Sequence, residues 1–291
     1  VVVPTLEEAG RWTALLELMG WGQVSLYPTS EGSPYEPFDP TSEITWGQLQ
    51  VLSDLLGEPN ARSWAIVATE RCLQPHLPPP DVLKTKTRTL RKGDEVDLEA
   101  LGETLAQLGY ERVTTIEQEG SWSRRGDIVD IFPVSSELPV RLEFFGEELD
   151  KLREFDPASQ RSLDPVDALR LTPTGFGPLI ADQLRETMPD GLEQLLGSEG
   201  TEQLLNGETP EGMRRLMGLA WEQPASLLDY LPDTTTVVID ERRQGLAHGQ
   251  QWLSHVEEHH HDMAAEAGLD EGDRDRLWPA ALHCGIEAAY A

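Results

Sequence analysis

The chain has 291 residues, more than the about 100–200 residues that one domain needs, so its length predicts two or three folded units. Hydrophobic residues make up 38% of the chain and aromatic residues 7%, which is enough for packed cores and argues against a disordered protein. The 23 basic and 52 acidic residues leave a net charge of -29, which opposes broad contact with the phosphate backbone of nucleic acids.

The first part of the chain, residues 1–82, has the pattern of an α/β domain. Residues 1–3 are valines and predict a buried strand, and the apolar spacing after them predicts an amphipathic helix that ends near Gly20. A second helix should precede a second buried strand at residues 64–68. Alternating strands and helices are typical of a parallel sheet. Four prolines then indicate a domain boundary: Pro75, Pro78, Pro79 and Pro80.

The middle part, residues 83–173, has the pattern of an α+β domain. Asp94 can cap a helix that Gly109 can end. This helix carries four leucines on one face: Leu98, Leu101, Leu105 and Leu108. Four β-rich runs then predict an antiparallel meander, at residues 112–118, 126–132, 140–145 and 148–155.

The last part, residues 174–291, returns to the α/β pattern. It is helical through about residue 228, and a buried strand is predicted at residues 236–241. Because this strand can complete the first sheet, we expect residues 83–173 to be inserted between the two halves of one α/β domain. The sequence lacks an initiator Met and a closing element, so we expect it to be an excerpt of a longer protein.

The middle part is also the least acidic part of the chain. Residues 84–161 contain 12 of the 23 basic residues, together with 17 acidic ones. They contain three motifs in order: RRGDIVDIFP at residues 124–133, RLEFFG at residues 141–146 and REFD at residues 153–156.

The motif at residues 141–146 predicts an exposed aromatic side chain. By strand alternation, Arg141 and Phe145 share one face with Glu143, while the residues between them face the core. An exposed Phe beside guanidinium groups is typical of a binding hot spot, because aromatic and Arg side chains dominate interface energetics. The strand pattern alone favours an alternative, in which Arg125 and Arg141 pair with nearby carboxylates and Phe145 is a core residue.

The three motifs together resemble the UvrA-binding domain that UvrB shares with the transcription-repair coupling factors. The resemblance implies that Arg125, Arg141 and Phe145 contact UvrA, and that the protein's own C-terminal domains cover this face at rest. It therefore favours a docking surface over the alternative. We expect Arg141→Ala or Phe145→Ala to abolish UvrA binding while leaving the fold intact.

A further motif, Tyr230-Leu231-Pro232 followed by VVIDE at residues 237–241, resembles the strand that carries the Walker B pair of UvrB. The resemblance implies that Asp240 and Glu241 occupy the positions that organise Mg²⁺ and water. Such carboxylates work opposite a phosphate-binding loop, but the sequence contains no Gly-x-x-x-x-Gly-Lys-Ser/Thr. Arg242 and Arg243 also replace the Ser-His of UvrB. We therefore expect a vestigial Walker B-like pair and no catalytic residue in these 291 residues.

The segment at residues 27–40 distinguishes between the two related families. UvrB has a long tyrosine-rich hairpin here, whereas this chain has a short segment that resembles the coupling factors. The resemblance implies a split, degenerate RecA-like (P-loop NTPase-like) domain that contains the inserted UvrA-binding domain. The two parts of the split domain are residues 1–82 and 174–291, and the insertion is residues 83–173.

The resemblance also implies a function in transcription-coupled nucleotide excision repair, as a module that recruits UvrA to lesions where RNA polymerase has stalled. The parent protein would be an ATP-dependent DNA translocase that releases RNA polymerase. Its contacts with RNA polymerase and DNA, and its ATP and Mg²⁺ sites, would lie outside this chain, which needs no cofactor of its own. Two alternatives remain open: a UvrB-type damage-verifying NTPase, and a module that binds an acidic protein other than UvrA.

Cellular location and metal binding follow from simpler features. Cys72 and Cys284 have no paired spacing, which is typical of reduced thiols in the cytoplasm. No apolar run approaches the about 20 residues that cross a bilayer, so we expect no membrane contact. His255 and His259 have helical spacing, but an acidic, solvated helix face explains them better than a metal site.

Overall fold

The fold is described from a computed structural model, which describes residues 1–40, 42–57, 63–188, 192–266 and 282–290. Two compact units divide the chain. Unit 1 combines Val1–Pro80 with Ile180–Ala291, and unit 2 is Asp81–Leu179. Within the described ranges, no helix has both the length and the hydropathy that a membrane span requires.

The first elements of unit 1 form a small parallel sheet with helices between its strands. They are β1 (Val2–Val3), α1 (Leu6–Leu18), β2 (Gln23–Tyr27), α2 (Ser42–Leu56) and β3 (Trp64–Thr69). The strand order is β1-β3-β2, with both pairs parallel. Thr5 caps α1 by accepting a hydrogen bond from the backbone N–H of Glu8 (3.2 Å), and Gly20, with a φ of 83°, follows its end. The predicted α/β class is confirmed, with β2 as an additional strand.

Unit 2 is built on a six-stranded sheet. Its elements are α3 (Pro80–Thr85), β4 (Arg88–Arg91), α4 (Leu98–Gln107), β5 (Glu111–Arg112), β6 (Ser121–Arg125), β7 (Ile128–Phe132), β8 (Val140–Phe145), β9 (Glu148–Phe155), β10 (Ser162–Pro165) and β11 (Ala168–Leu171). The sheet has the order β10-β9-β8-β7-β6-β5, and β11 pairs with β4 separately. Every pair from β6 to β10 is antiparallel, which confirms the predicted antiparallel arrangement of the runs at residues 126–132, 140–145 and 148–155.

Both faces of the six-stranded sheet contribute to a core. Leu101 and Leu105 of α4 pack in one cluster with Val129, Ile131 and Leu142 of the sheet. A smaller cluster joins three buried residues: Ile116, Phe132 and Phe155. Because Phe132 and Phe155 alternate with the residues of the larger core, the smaller cluster covers one end of the opposite face. The rest of that face carries the candidate site.

Two local predictions for unit 2 are wrong. Asp97, and not Asp94, caps α4, because its carboxylate accepts hydrogen bonds from the backbone N–H groups of Glu99 and Ala100. The predicted strand at residues 112–118 is limited to Glu111–Arg112, and the next strand is β6. The pattern missed β6 because the residues on one of its faces include Ser121 and Ser123, polar side chains that the fold buries.

The chain returns to unit 1 through helices. These are α5 (Gly177–Thr187), α6 (Leu192–Leu205), α7 (Met217–Ala220), α8 (Arg242–Glu266) and α9 (Ile286–Ala289), with 3₁₀ turns at Met213–Leu216 and Leu227–Tyr230. The predicted helical stretch that ends near residue 228 is therefore confirmed.

The predicted buried strand at residues 236–241 is wrong. This run forms only an isolated parallel bridge, in which Val2 N donates to Val238 O (2.8 Å) and Asp240 N donates to Val2 O (2.9 Å). Val237 and Val238 are both exposed. The physical reason is that β1 contains two residues, so it pairs with this run over a single bridge.

Candidate partner-binding site

Two hairpin turns define one end of the six-stranded sheet. Gly126-Asp127 joins β6 to β7, and Gly146-Glu147 joins β8 to β9. Gly126 and Gly146 have φ values of 64° and 66°, a region that tight two-residue turns require at their first position and that glycine adopts without strain. Because Ile128 at the start of β7 is opposite Glu143 near the end of β8, both turns lie at the same end of the sheet.

Phe145 projects from this end of the sheet into solvent. The burial of β8 alternates, with Leu142 and Phe144 in the core, whereas the Phe145 side chain is 84% exposed. Its backbone is held by pairing with Glu148 on β9. An exposed aromatic ring on a paired strand offers a large apolar contact area with little conformational entropy to lose. The structure therefore places Phe145 on the surface and excludes a core position.

Arg125 lies at the same end, on β6. It is opposite Ile128, which is itself opposite Glu143, so these three residues form one row across three strands. Arg125 is exposed, and within the described residues its guanidinium has no hydrogen bond or ion pair. The neighbouring Arg124, in contrast, donates to Glu99 (2.7 Å). Arg125 is thus a cation that is available to an external carboxylate.

Arg141 has a different environment. Its Nε and Nη2 atoms donate to the two carboxylate oxygens of Asp130, at 2.7 and 2.9 Å. The side chains of Arg141 and Asp130 are 18% and 4% exposed. The guanidinium also lies 4.7 Å from the ring centroid of Phe155. The hydrogen bonds that the guanidinium donates to Asp130 raise the pKa of Arg141 above its ordinary value. Arg141 therefore makes its strong contacts inside unit 2.

These positions change one expectation. Arg141 and Phe145 share a face of β8, as alternation predicts. Arg125 lies on the same face of the sheet, two strands away, in the row that contains Glu143. However, the buried ion pair leads us to predict that Arg141→Ala destabilises unit 2, because Asp130 would keep a buried carboxylate without its partner. The sequence reasoning also missed Ile128, whose exposure follows from the register of β6 and β7.

The Walker B-like pair, Asp240 and Glu241, lies in unit 1. The carboxylate of Asp240 accepts a hydrogen bond from the indole N–H of Trp12 (2.7 Å) and another from the backbone N–H of Glu241 (3.0 Å). Glu241 is exposed and has a positive φ of 45°. Asp240 thus connects α1 to the residues that follow the bridge at Ile239.

An apolar groove of about 670 Å³ lies beside this pair in unit 1. It is lined by Trp12, Trp21, Trp64, Val237 and Val238, among other apolar residues. The lining that the structure describes includes no Lys or Arg, which are the side chains that bind nucleotide phosphates. Across the same described ranges, no group of His, Cys, Asp and Glu side chains has the arrangement of a metal site.

We expect Asp240→Ala to destabilise unit 1 by about 1–2 kcal/mol, because it removes a hydrogen bond between a carboxylate and the Trp12 indole. Glu241→Gln is the matched control, since Glu241 is exposed, and its unfolding free energy should equal that of the wild type. Urea denaturation of both variants measures the difference. Unchanged stability of Asp240→Ala together with a loss of ATP binding would contradict the structural role.

The part of the chain that contains both hairpin turns matches a known protein family. Residues 89–175 match the family described as the UvrB interaction domain. The transcription-repair-coupling factor of Haemophilus influenzae is 28% identical over 291 residues, which cover 96% of this chain and 24% of that protein. The corresponding protein of Bacillus subtilis is 29% identical over 245 residues, 78% of this chain and 21% of the relative.

The transcription-repair-coupling factor of Escherichia coli is 30% identical over 221 residues, which cover 72% of this chain and 18% of that protein. The chain thus spans about a fifth of the length of the curated relatives that it matches. The three residues that the sequence predicted for the docking surface, Arg125, Arg141 and Phe145, all lie inside the matched range 89–175. We conclude that this chain belongs to the family of transcription-repair-coupling factors and contains a UvrB interaction domain.

Proposed function

We propose that this chain acts in transcription-coupled nucleotide excision repair, as the module that binds UvrA. The observation that carries the proposal is that Phe145 and Arg125 are both exposed on one face of the sheet, inside the range that matches the UvrB interaction domain. UvrA would dock on the end of the sheet at the two hairpin turns. At rest, the C-terminal domains of the longer protein would cover the same surface.

The parent protein, in this proposal, is an ATP-dependent DNA translocase that releases stalled RNA polymerase. Its ATP, Mg²⁺, DNA and RNA polymerase sites lie outside these residues, and unit 1 is a degenerate RecA-like domain. The alternative is a UvrB-type damage-verifying NTPase, which would need Asp240 for Mg²⁺. The hydrogen bond from Trp12 to Asp240 and the net charge of -29 support the module without catalysis.

The chemistry of the proposed surface suits a protein partner. Aromatic and Arg side chains are enriched at interface hot spots. An aromatic ring buries a large apolar area, and a guanidinium can bind a carboxylate with two hydrogen bonds. Arg125 has no carboxylate partner among the described residues, so an acidic group of UvrA would not have to displace an internal ion pair. Rim charges of this kind mainly increase the association rate and the salt dependence of binding.

We expect Arg125→Ala to weaken binding to purified UvrA about tenfold at low salt, because one intermolecular ion pair is lost. Arg11→Ala is the matched control, since Arg11 is an exposed arginine of unit 1 whose one ion pair among the described residues is with Glu8 at 3.7 Å. Surface plasmon resonance at two salt concentrations measures both affinity and association rate. Equal affinity of the wild type and Arg125→Ala would contradict a role of Arg125 in docking, and no binding of the wild type would contradict the proposed function.

A further inference from the structure

We propose that Ile128 is a second apolar anchor of this docking surface, and that the partner presents one continuous apolar recess to Ile128 and Phe145. The inference rests on the proposed function and extends it to a residue outside the predicted set. Ile128 is the first residue of β7, directly after the Gly126-Asp127 turn.

The exposure of Ile128 is unusual within unit 2. All residues of this unit are described, and three of its large hydrophobic side chains are exposed: Ile128 at 39%, Phe145 at 84% and Leu163 at 43%. Val129 and Ile131 of the same strand are fully buried in the larger core. Because side chains alternate along a strand, Ile128 faces away from that core, on the face that carries Asp130 and Arg141.

The register places Ile128 next to the two residues of the proposed surface. It is directly opposite Arg125 on one side and directly opposite Glu143 on the other. Phe145 is two residues beyond Glu143 on β8, which makes it a diagonal neighbour of Ile128, at a typical separation of about 7–8 Å. An aromatic side chain such as Phe145 can reach a neighbour at this separation. The two exposed apolar side chains therefore form one patch, whereas Leu163 lies on the edge strand β10.

Polar groups border this apolar pair. Arg125 lies on one side and has no ion pair with any residue that the structure describes, and on the other side Glu143 pairs with Lys151 at 3.4 Å. An apolar centre with a polar border is the arrangement of a hot spot, where the border excludes water from the central contacts. The matching partner surface is an apolar recess with a carboxylate on the side of Arg125.

A second explanation of Ile128 is that a β-branched residue simply favours the strand conformation. Two substitutions separate the explanations. Ile128→Thr keeps the β-branched shape and the strand preference but removes the apolar surface, whereas Ile128→Val keeps both. Leu163→Thr is the control for removing an exposed apolar side chain from the same sheet.

The test measures affinity for purified UvrA by isothermal titration, with thermal unfolding monitored for each variant. We expect about a tenfold loss of affinity for Ile128→Thr, and less than a twofold change for Ile128→Val and Leu163→Thr. If Ile128→Thr binds like the wild type while Phe145→Ala does not, the second anchor is refuted and the proposed function stands. If the wild type does not bind UvrA, the proposed function fails and this inference fails with it.

Discussion

Replacing Arg141 with alanine is expected to lower the free energy of unfolding of unit 2 by about 3–5 kcal/mol, the range observed when one partner of a buried ion pair is removed. The Asp130 carboxylate is almost fully buried and receives two hydrogen bonds from Arg141. Without them, the carboxylate is left in a poorly hydrated site with no partner for its charge. The packing of the guanidinium against Phe155 is lost as well.

Urea denaturation monitored by circular dichroism measures this loss, with Arg125→Ala as the matched control from β6 of the same sheet. Because Arg125 is exposed and has no ion pair in the described residues, its replacement should change stability by less than about 0.5 kcal/mol. The double variant Asp130→Leu, Arg141→Met should recover much of the stability, since an apolar pair of similar size can replace a buried ion pair. A fully stable Arg141→Ala would refute this account of the pair.

This result bears on how binding data are interpreted. If Arg141→Ala loses UvrA binding, unfolding or loosening of β7 and β8 explains the loss as well as a missing contact does. Binding of the double variant distinguishes the two roles. Retained binding assigns Arg141 a positioning role within the sheet, and lost binding with recovered stability assigns it a direct contact.

Replacing Phe145 with alanine is expected to weaken binding to UvrA at least about 30-fold, which corresponds to the about 2 kcal/mol that defines a hot spot. The side chain is 84% exposed, so its removal takes little away from the folded chain. In the complex, however, the ring would lose most of its contact with water, and its replacement would leave an unfilled recess in the partner. Stability should therefore stay within about 0.5 kcal/mol of the wild type.

Phe38→Ala is the matched control, because Phe38 is an exposed phenylalanine of unit 1 at 66% exposure. Titration of UvrA with each variant, after a thermal unfolding check, gives the comparison. Equal affinities of the two variants would show that an exposed ring at the hairpin end contributes nothing specific. A large loss for Phe145→Ala alone supports the docking surface.

The spacing of apolar residues along the chain predicted which side chains of a strand share a face. The alternation along β8 predicted that Arg141 and Phe145 share a face and that the residues between them are buried. Helix caps were less predictable, since Asp94 and Asp97 both precede α4 and only the backbone path selects Asp97. At residues 236–241 the apolar run indicated a buried strand, but β1 provides only one bridge and the valines are exposed.

The sequence by itself determined the α/β character of the chain, the face of β8 that carries Phe145 and the motifs that resemble a UvrA-binding domain. These depend on side-chain periodicity and on residue order, which require no knowledge of distant contacts. The tertiary structure alone decided which arginine is available. Arg141 is engaged by Asp130, and Arg125 is exposed beside Ile128, because the register of three strands brings together residues that are separated along the chain. Strand register is a property of the folded sheet, so no single strand pattern contains it.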